Sequence, residues 1–310
     1  MRDFVPSISL LGASMNRFSL GLPALFAMLS CAAAPTPPPA ETAGIGGAGG
    51  SPVVMQQVGA LTPRPTRKEQ VKRILPHNVR LSILEDGKAR RTASGVVIGS
   101  EQTPEGLVSY VITNAHAVEM DDLKNPHLIA IVDDRANSTE YKAHVVATGV
   151  VPDLDLALLK VPGLPLRPAR LAADTELELG DDVVVAASPF GRALSLSGGM
   201  VSQVEWDKES KTPRMVKTDA AIGYGASGGG IFSLESGKLL AIVEGYRTAK
   251  VGFAVAEQNF SFDVPMPGET FAAPSAKVRL FLQQKGFGRL LVEGAPGMGP
   301  GTGGSQTASR

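Results

Sequence analysis

The stretch SGVVIGSEQTPEGLVSYVITNAHAV, residues 94–118, indicates the fold class of this chain. It holds two short apolar runs separated by the turn-forming segment EQTPEG, and a histidine follows the second run. Short runs of this kind, bounded by turn residues, are typical of β-strands. They recur from residue 78 onward with few helical segments among them, which predicts an all-β fold of sandwich or barrel type.

The predicted strands fall into two groups of about six. The first group lies at about 75–165 and the second at about 170–270, and a Pro-rich connection near 162–170 joins them. We therefore predict two six-stranded antiparallel β-barrels in series. The runs are NVRLSIL, ASGVVIG, GLVSYVITNA, HLIAIVD, EYKAHVVATGV and DLALLKV, then DVVVAAS, ALSLSGGMVSQVEW, RMVKTDAA, GGIFSLESGKLLAIVEGY and VGFAVA.

One helix is predicted at each end of the strand region. The segment TRKEQVKRI contains helix-forming residues behind a Thr cap at position 66. A second helix is predicted at 275–286, with Ser275 as its N-terminal cap and Gly286 as its stop signal.

Composition divides the chain into four parts. Residues 1–31 read as a signal peptide, and residues 32–64 are rich in Pro, Gly, Ala and Thr and predict a disordered linker. The foldable region is 65–292, and the Gly-rich residues 293–310 predict a disordered tail.

The first part carries an export signal in either of two forms. Arg17 precedes a short apolar run that ends in MLSC, with the lone cysteine of the chain at Cys31. This segment resembles a bacterial lipoprotein signal, in which the cysteine becomes the lipidated first residue. An ordinary signal peptide is the alternative, because Leu29 stands where a smaller residue is usual, and the start of the chain is Met1 or Met15. Either form predicts an exported protein, facing the periplasm at the bacterial envelope, lipid-anchored or secreted.

Charge and cysteine content exclude several classes of protein. The 30 basic residues balance the 30 acidic ones, and no basic tract appears, so nucleic-acid binding is not predicted. One cysteine forms no intramolecular disulfide. His77, His127 and His144 lack the spacing of metal ligands and are interpreted as surface residues, and neither a metal nor a cofactor is predicted.

Three polar residues stand next to predicted strands in a suggestive order. His116 follows the strand YVITNA, Asp155 begins the strand DLALLKV, and Ser227 lies in GASGGG. Each alone is weak evidence, because such positions are common in turns. A serine hydroxyl becomes a nucleophile when an imidazole takes its proton and a carboxylate orients that imidazole. Asp153 is the competitor for the carboxylate, and the spacing to the apolar strand favours Asp155.

Together these segments resemble the trypsin-like serine proteases (chymotrypsin fold), most closely their bacterial HtrA/Deg branch. The matching segments, in order, are SGVVIGS, YVITNAHAV, DLDLALLKV, ELGDDVVVAASPFG, LSGGMVSQV and TDAAIGYGASGGGIFS. The resemblance implies two perpendicular six-stranded β-barrels with the catalytic site in the crevice between them. It also implies that His116 is the general base, Asp155 its partner and Ser227 the nucleophile, with the amides of Gly225 and Ser227 as the oxyanion hole.

The same resemblance predicts the substrate pocket. Its lining is expected to comprise Ala221, Ile222, Val243, Glu244, Gly245 and Tyr246. Ala221 replaces the acidic residue that would select Lys or Arg, so small or medium apolar side chains are expected before the scissile bond. Glu244 stands where a small polar residue near the triad is usual. Either it competes with Asp155 or places charge at the rim of the pocket, or it points to solvent. Ala226 replaces the Asp that digestive members use in zymogen activation, which argues against that mode of activation.

Two hypotheses on function follow, and a third stays open. The first is a serine endopeptidase that acts on proteins or peptides through an acyl-enzyme. The second is a catalytically weak or inactive trypsin-like pseudoprotease that serves as a peptide-binding or scaffold module. An esterase on the same triad is the third. No PDZ domain is expected after residue 286. The segment AEQNFSFDVPMPGETF predicts an extra hairpin beside the substrate cleft. The oligomeric state is not predicted.

Overall fold

The computed structural model describes residues 65–255 and 258–291 of the chain. The predicted signal peptide, the linker, the C-terminal tail and Cys31 lie outside these residues. The described part is built mainly from antiparallel strands, arranged in two sheets with one helix before them and one after them. The predicted fold class, an all-β protein with two antiparallel barrels and a C-terminal helix, is confirmed.

The first sheet contains seven strands in the order β5-β4-β1-β2-β3-β7-β6. Its edge strands β5 and β6 are consecutive in the chain and are separated only by Ala143, whose amide donates to the carbonyl of Leu128. They are therefore two halves of one kinked strand, and the kink lets that strand pair at both edges and close the sheet into a barrel. The strands are β1 (Asn78–Glu85), β2 (Lys88–Thr103), β3 (Gly106–Thr113), β4 (His127–Asp134), β5 (Asn137–Lys142), β6 (His144–Thr148) and β7 (Ala157–Pro162).

The second sheet is a closed six-stranded barrel in the order β10-β13-β12-β11-β8-β9. All six neighbouring pairs are antiparallel. The strands are β8 (Asp182–Ala187), β9 (Ser195–Trp206), β10 (Pro213–Thr218), β11 (Gly230–Ser233), β12 (Leu239–Val255) and β13 (Gln258–Pro274).

Residues 258–271 of the segment predicted to form an extra hairpin lie in the single strand β13 instead. Strands β12 and β13 together form one long hairpin. They stay paired from Ala241 opposite Pro274 to Val255 opposite Gln258. Beyond the barrel, this hairpin carries the exposed residues Phe253, Phe260 and Phe262, and the ring of Phe253 contacts the other two rings.

Helix α1 (Arg67–Ile74) is capped as predicted. The Thr66 hydroxyl accepts from the amide of Glu69, whose carboxylate accepts in turn from the amide of Thr66, so both groups satisfy helix-end donors.

Helix α2 (Ser275–Gln284) is present, but the predicted cap at Ser275 is wrong. Pro274 is the N-cap residue, and Ser275 is the first helical residue, whose hydroxyl donates to the carbonyl of Ala172 at 2.9 Å. The stop signal at Gly286 agrees with its φ of 78°, a conformation that glycine adopts without strain.

One apolar cluster connects the two barrels and α2. It contains Ile112 and Leu158 from the first barrel, Phe232 from the second and Phe281 from α2, each fully buried. Since packing in such a cluster is close, it fixes how strand ends of the two barrels face each other. In the part of the chain that the structure describes, no helix is long and apolar enough to span a membrane.

Candidate active site

His116 and Asp155 come from different strand ends of the first barrel and lie in direct contact. His116 begins a single 3₁₀ turn (His116–Val118) after β3, and Asp155 lies just before β7, which pairs with β3. Nδ1 of His116 lies 2.5 Å from Oδ2 of Asp155, and the amide of His116 donates to Oδ1 at 3.0 Å. The carboxylate thus holds both the ring and the backbone of the histidine. Asp153 is exposed, and its carboxylate makes no such contact among the described residues.

The contact changes the protonation of both partners. The hydrogen bond to Asp155 raises the pKa of His116 against the opposing effect of burial, and the charges of Asp155, Glu244 and Glu119 raise it further. Burial would raise the pKa of Asp155, but the hydrogen bonds from the ring and amide of His116 outweigh it and lower the pKa. The pair therefore favours an ionised Asp155 at neutral pH.

Ser227 lies in a tight loop that connects the two barrels by backbone hydrogen bonds. Its carbonyl accepts from the amide of Ser94 on β2 at 2.8 Å, and the next amide, of Gly228, donates to Val243 on β12 at 2.9 Å. Gly228 has a φ of 82°, and a Cβ there would overlap the carbonyl oxygen of Ser94 and the hydroxyl of Thr113. Only glycine fits both the conformation and the space.

The hydroxyl of Ser227 points to the backbone of β12. It donates to the carbonyl of Glu244 at 3.4 Å, and no hydrogen bond joins it to His116 in the described residues. Both side chains nevertheless line one cavity. Sequence reasoning did not predict this orientation of the hydroxyl.

The amides of Gly225 and Ser227 are held on the side of the loop where they are free to donate. The carbonyl of Tyr224 accepts from the amide of Phe190 at 2.6 Å, and because a trans peptide directs its N–H away from its C=O, the Gly225 amide faces the other way. The carbonyl of Ala226 accepts from the amide of Gly229 at 2.9 Å, so the Ser227 amide on the same peptide also faces away from that bond. Across residues 65–255 and 258–291, neither amide has a protein acceptor. Two such donors are what an oxyanion requires.

A cavity of about 200 Å³ opens beside these groups. Of the predicted pocket residues, Ile222, Gly245 and Tyr246 line it. Ala221 is instead exposed outside the lining, and the side chain of Val243 is buried in the core of the second barrel. Its remaining lining residues, which sequence reasoning did not assign to a pocket, are Arg91, Thr92, Ala117, Gly223 and Tyr224.

Glu244 does not point to solvent. Its side chain is only 13% exposed, and its Oε1 lies 3.9 Å from Nζ of Lys277 on α2. Burial raises the pKa of this carboxyl, Lys277 lowers it, and the nearby charges of Asp155 and His116 raise and lower it respectively. The first alternative from the sequence, a second carboxylate near the triad, is the one that the geometry supports.

The other histidines take no part in this site. His77 is half-buried rather than on the surface, because its ring stacks on Phe232 and its Nδ1 bonds to the carbonyl of Arg167. His127 and His144 are exposed. No cluster of residues suited to a metal ion occurs within the described ranges.

Comparison with known proteins shows that the chain is similar to serine peptidases. Residues 93–242 match the model of the trypsin-like peptidase domain. A probable periplasmic serine endoprotease, DegP-like, from Ectopseudomonas mendocina is 32% identical over 204 residues, which are 65% of this chain and 38% of that protein. The magnetosome formation protease MamE of Paramagnetospirillum magneticum is 32% identical over 177 residues, 56% of this chain and 22% of that protein. The chain thus spans less than half the length of these curated relatives.

A solved structure supports the fold. The crystal structure of the serine endoprotease from Yersinia pestis aligns with a TM-score of 0.51 and 21% sequence identity, covering 73% of this chain and 68% of that chain.

Proposed function

Since residues 93–242 belong to the trypsin-like peptidase domain family, we propose that this chain is a serine endopeptidase of the HtrA/Deg type. His116 is its general base, Asp155 orients that base, and Ser227 is its nucleophile. One observation carries the proposal: the Asp155–His116 pair of the first barrel and Ser227 of the second line or adjoin one cavity, beside two unpaired amides.

The proposed reaction follows from these groups. The hydroxyl of Ser227 turns from the Glu244 carbonyl to Nε2 of His116 and loses its proton to that nitrogen as its Oγ attacks the peptide carbonyl. The amides of Gly225 and Ser227 stabilise the negative oxygen of the tetrahedral intermediate. His116 then returns the proton to the leaving amine as the C–N bond breaks. Water repeats the sequence on the acyl-enzyme and releases the acid.

A fluorophosphonate probe tests the nucleophile directly, because it reacts covalently with an activated serine. Wild-type protein is expected to label, and Ser227→Ala to lose labelling while keeping its circular dichroism spectrum. Ser236→Ala, which changes a serine outside the cavity, is the matched control and is expected to label normally. A wild-type protein that stays unlabelled throughout the neutral and mildly alkaline range would contradict the proposal.

The substrate class is a protein or peptide with a small or medium apolar residue before the scissile bond. Ile222 and Tyr246 give the cavity apolar walls, and among the described residues no carboxylate lines it to select a basic side chain. Cleavage of a peptide library is expected to enrich residues such as valine and alanine at that position. Enrichment of lysine or arginine would contradict this assignment.

A peptide-binding module without turnover is the second candidate. The observation that favours it is the Ser227 hydroxyl, which bonds to the Glu244 carbonyl instead of His116. A binder would retain affinity for peptides but form no covalent adduct with the probe, so the same labelling experiment separates the two candidates.

We also propose an exported protein that faces the periplasm, with a lipid on Cys31 and the peptidase domain at 65–292. The signal-like sequence before Cys31 and the periplasmic location named for the relatives support this location. Metabolic labelling with a fatty-acid analogue is expected to mark the wild type and not Cys31→Ala. Equal labelling of both proteins would reject the anchor without affecting the proposed activity.

A further inference from the structure

Glu244 is held against the proposed active site by an irregularity in its own strand. In the pairing of β12 with β13, Val243 lies opposite Ala272 and Gly245 lies opposite Phe271, so Glu244 is the extra residue of a bulge. Bulges redirect side chains. Here the carbonyl of Glu244 accepts from Ser227, while its side chain is largely buried on the side of α2.

Within the described ranges, the buried carboxylate of Glu244 forms an ion pair with one cation, Lys277. Its Oε1 has no hydrogen-bond donor in the described residues, and Nζ of Lys277 lies 3.9 Å away, with the lysine side chain itself only 19% exposed. Lys277 occupies the first turn of α2, where the helix dipole disfavours a positive charge. The lysine is thus at a locally unfavourable position, which the negative charge of Glu244 offsets.

The pair lies within electrostatic range of His116 and Asp155. Glu244 raises the pKa of His116, whereas His116 lowers and Asp155 raises that of Glu244. Asp155 and Glu119, which lies at the end of the 3₁₀ turn, also raise the pKa of His116. Arg91 lines the cavity, but its guanidinium is bound to the Glu119 carbonyl and to Asp122.

We propose that Glu244 and Lys277 form a charge pair that sets the electrostatic environment of His116, and that α2 thereby acts on the active site. The side chain of Glu244 contacts neither the cavity nor the reacting atoms and acts through the imidazole, so it is a positioning group. For its effect on rate the inference rests on the proposed peptidase function. Its effect on the imidazole is measurable without any substrate.

The sign of each effect follows from charge. Glu244 raises the pKa of His116 and so stabilises its imidazolium, and Lys277, which pairs with Glu244, carries the opposite charge. Replacing Glu244 by glutamine removes the negative charge and keeps the shape of the side chain. The pKa of His116 is then expected to fall. Removing Lys277 as well takes away the opposing positive charge, and the pKa of His116 is expected to rise again from its value in the single variant.

The test is a titration of the His116 ring by NMR in the full chain, with the signal assigned from a His116→Asn variant. In E244Q, His116 is expected to titrate at lower pH than in the wild type. In E244Q/K277M it is expected to titrate between those two values. In K277R it is expected to titrate as in the wild type, because arginine keeps the charge. In kcat/KM, the acid limb of the E244Q profile is expected to move to lower pH, with the plateau changed by about two-fold or less.

Lys238→Met is the matched control. Lys238 lies just before β12 and pairs with Glu176 at 2.8 Å. It is six residues from Glu244, which corresponds to about 20 Å along extended chain. This variant is expected to lose an ion pair without moving the His116 titration.

Two outcomes would overturn the inference: an E244Q titration that coincides with the wild type, or one that the added K277M change leaves unaltered. Both are read from the imidazole. A wild type that neither labels nor cleaves would instead count against the proposed function and leave the titration result standing.

Discussion

At the residue scale, the hydrogen bond between His116 and Asp155 determines the pH range in which the proposed base works. A base must be neutral to accept a proton, and the bond to Asp155 raises the pKa of His116 above its ordinary value near 6.5. Activity is therefore expected to fall as pH drops through that raised pKa. The same raised pKa means that His116 contributes stability below its unfolded pKa and loses it as pH rises through the folded one.

The variants Asp155→Asn and Asp153→Asn separate the two carboxylates. The first removes the charge and the acceptor for Nδ1 of His116, and is expected to lower kcat by about 10³-fold to 10⁴-fold. The second changes an exposed residue and is expected to keep wild-type kcat. Steady-state kinetics on a cleavable peptide measure both. Equal losses in the two variants would reject Asp155 as the orienting group.

Gly228 is the residue at which the loop tolerates no side chain. Gly228→Ala is expected to lower the free energy of unfolding by at least about 1 kcal/mol, because the new methyl group overlaps Ser94 and Thr113 and φ is positive. Gly163→Ala is the matched control, since its φ of 75° is similar but its surroundings are open. Urea unfolding of both variants isolates the cost of the overlap, and similar midpoints would show that φ alone accounts for it.

At the element scale, the 3₁₀ turn Pro189–Gly191 orients the proposed oxyanion hole. Phe190 has a φ of 57°, unusual for a residue other than glycine, and its amide holds the Tyr224 carbonyl. Phe190→Pro removes this donor and cannot adopt that φ, so the rate of probe labelling is expected to fall about 100-fold. Phe190→Gly keeps the donor and suits the φ, and is expected to label at a rate much closer to wild type. Equal labelling by both variants would exclude a role for this turn.

The strands and loops also show which features of the fold and the site can be predicted from the sequence. The strands were predictable because apolar runs bounded by turn residues mark them locally, and His116 and Asp155 because each follows or begins such a run. The hydrogen bond from the Ser94 hydroxyl to the Gly225 carbonyl joins residues 131 positions apart, so no local sequence pattern predicts it. The burial of Glu244 depends on a one-residue bulge between β12 and β13, and a pairing register is not visible in one strand.

At the scale of the whole molecule, the proposed site depends on three parts that share one core. His116 and Asp155 belong to the first barrel, Ser227 to the second, and Lys277 to α2. The cluster around Phe232 and the apolar face of α2 joins all three. Because a close-packed core resists displacement, geometry at the site and stability of the core are expected to be lost together.

The helix α2 allows this coupling to be measured. Phe281 is fully buried in the shared core, and Phe281→Ala is expected to lower the free energy of unfolding by about 3–5 kcal/mol through lost burial and a cavity. Leu280→Ala is the matched control, since Leu280 is 47% exposed on the same helix and its loss is expected to cost much less. Urea unfolding measures the free energy of unfolding of both variants. Probe labelling at urea concentrations below the unfolding transition measures the reactivity of Ser227. If α2 stabilises the site only through the core, labelling of Phe281→Ala follows its folded fraction. If Phe281→Ala is fully folded and still labels more slowly than the wild type, the position of α2, and with it Lys277, acts on the site directly.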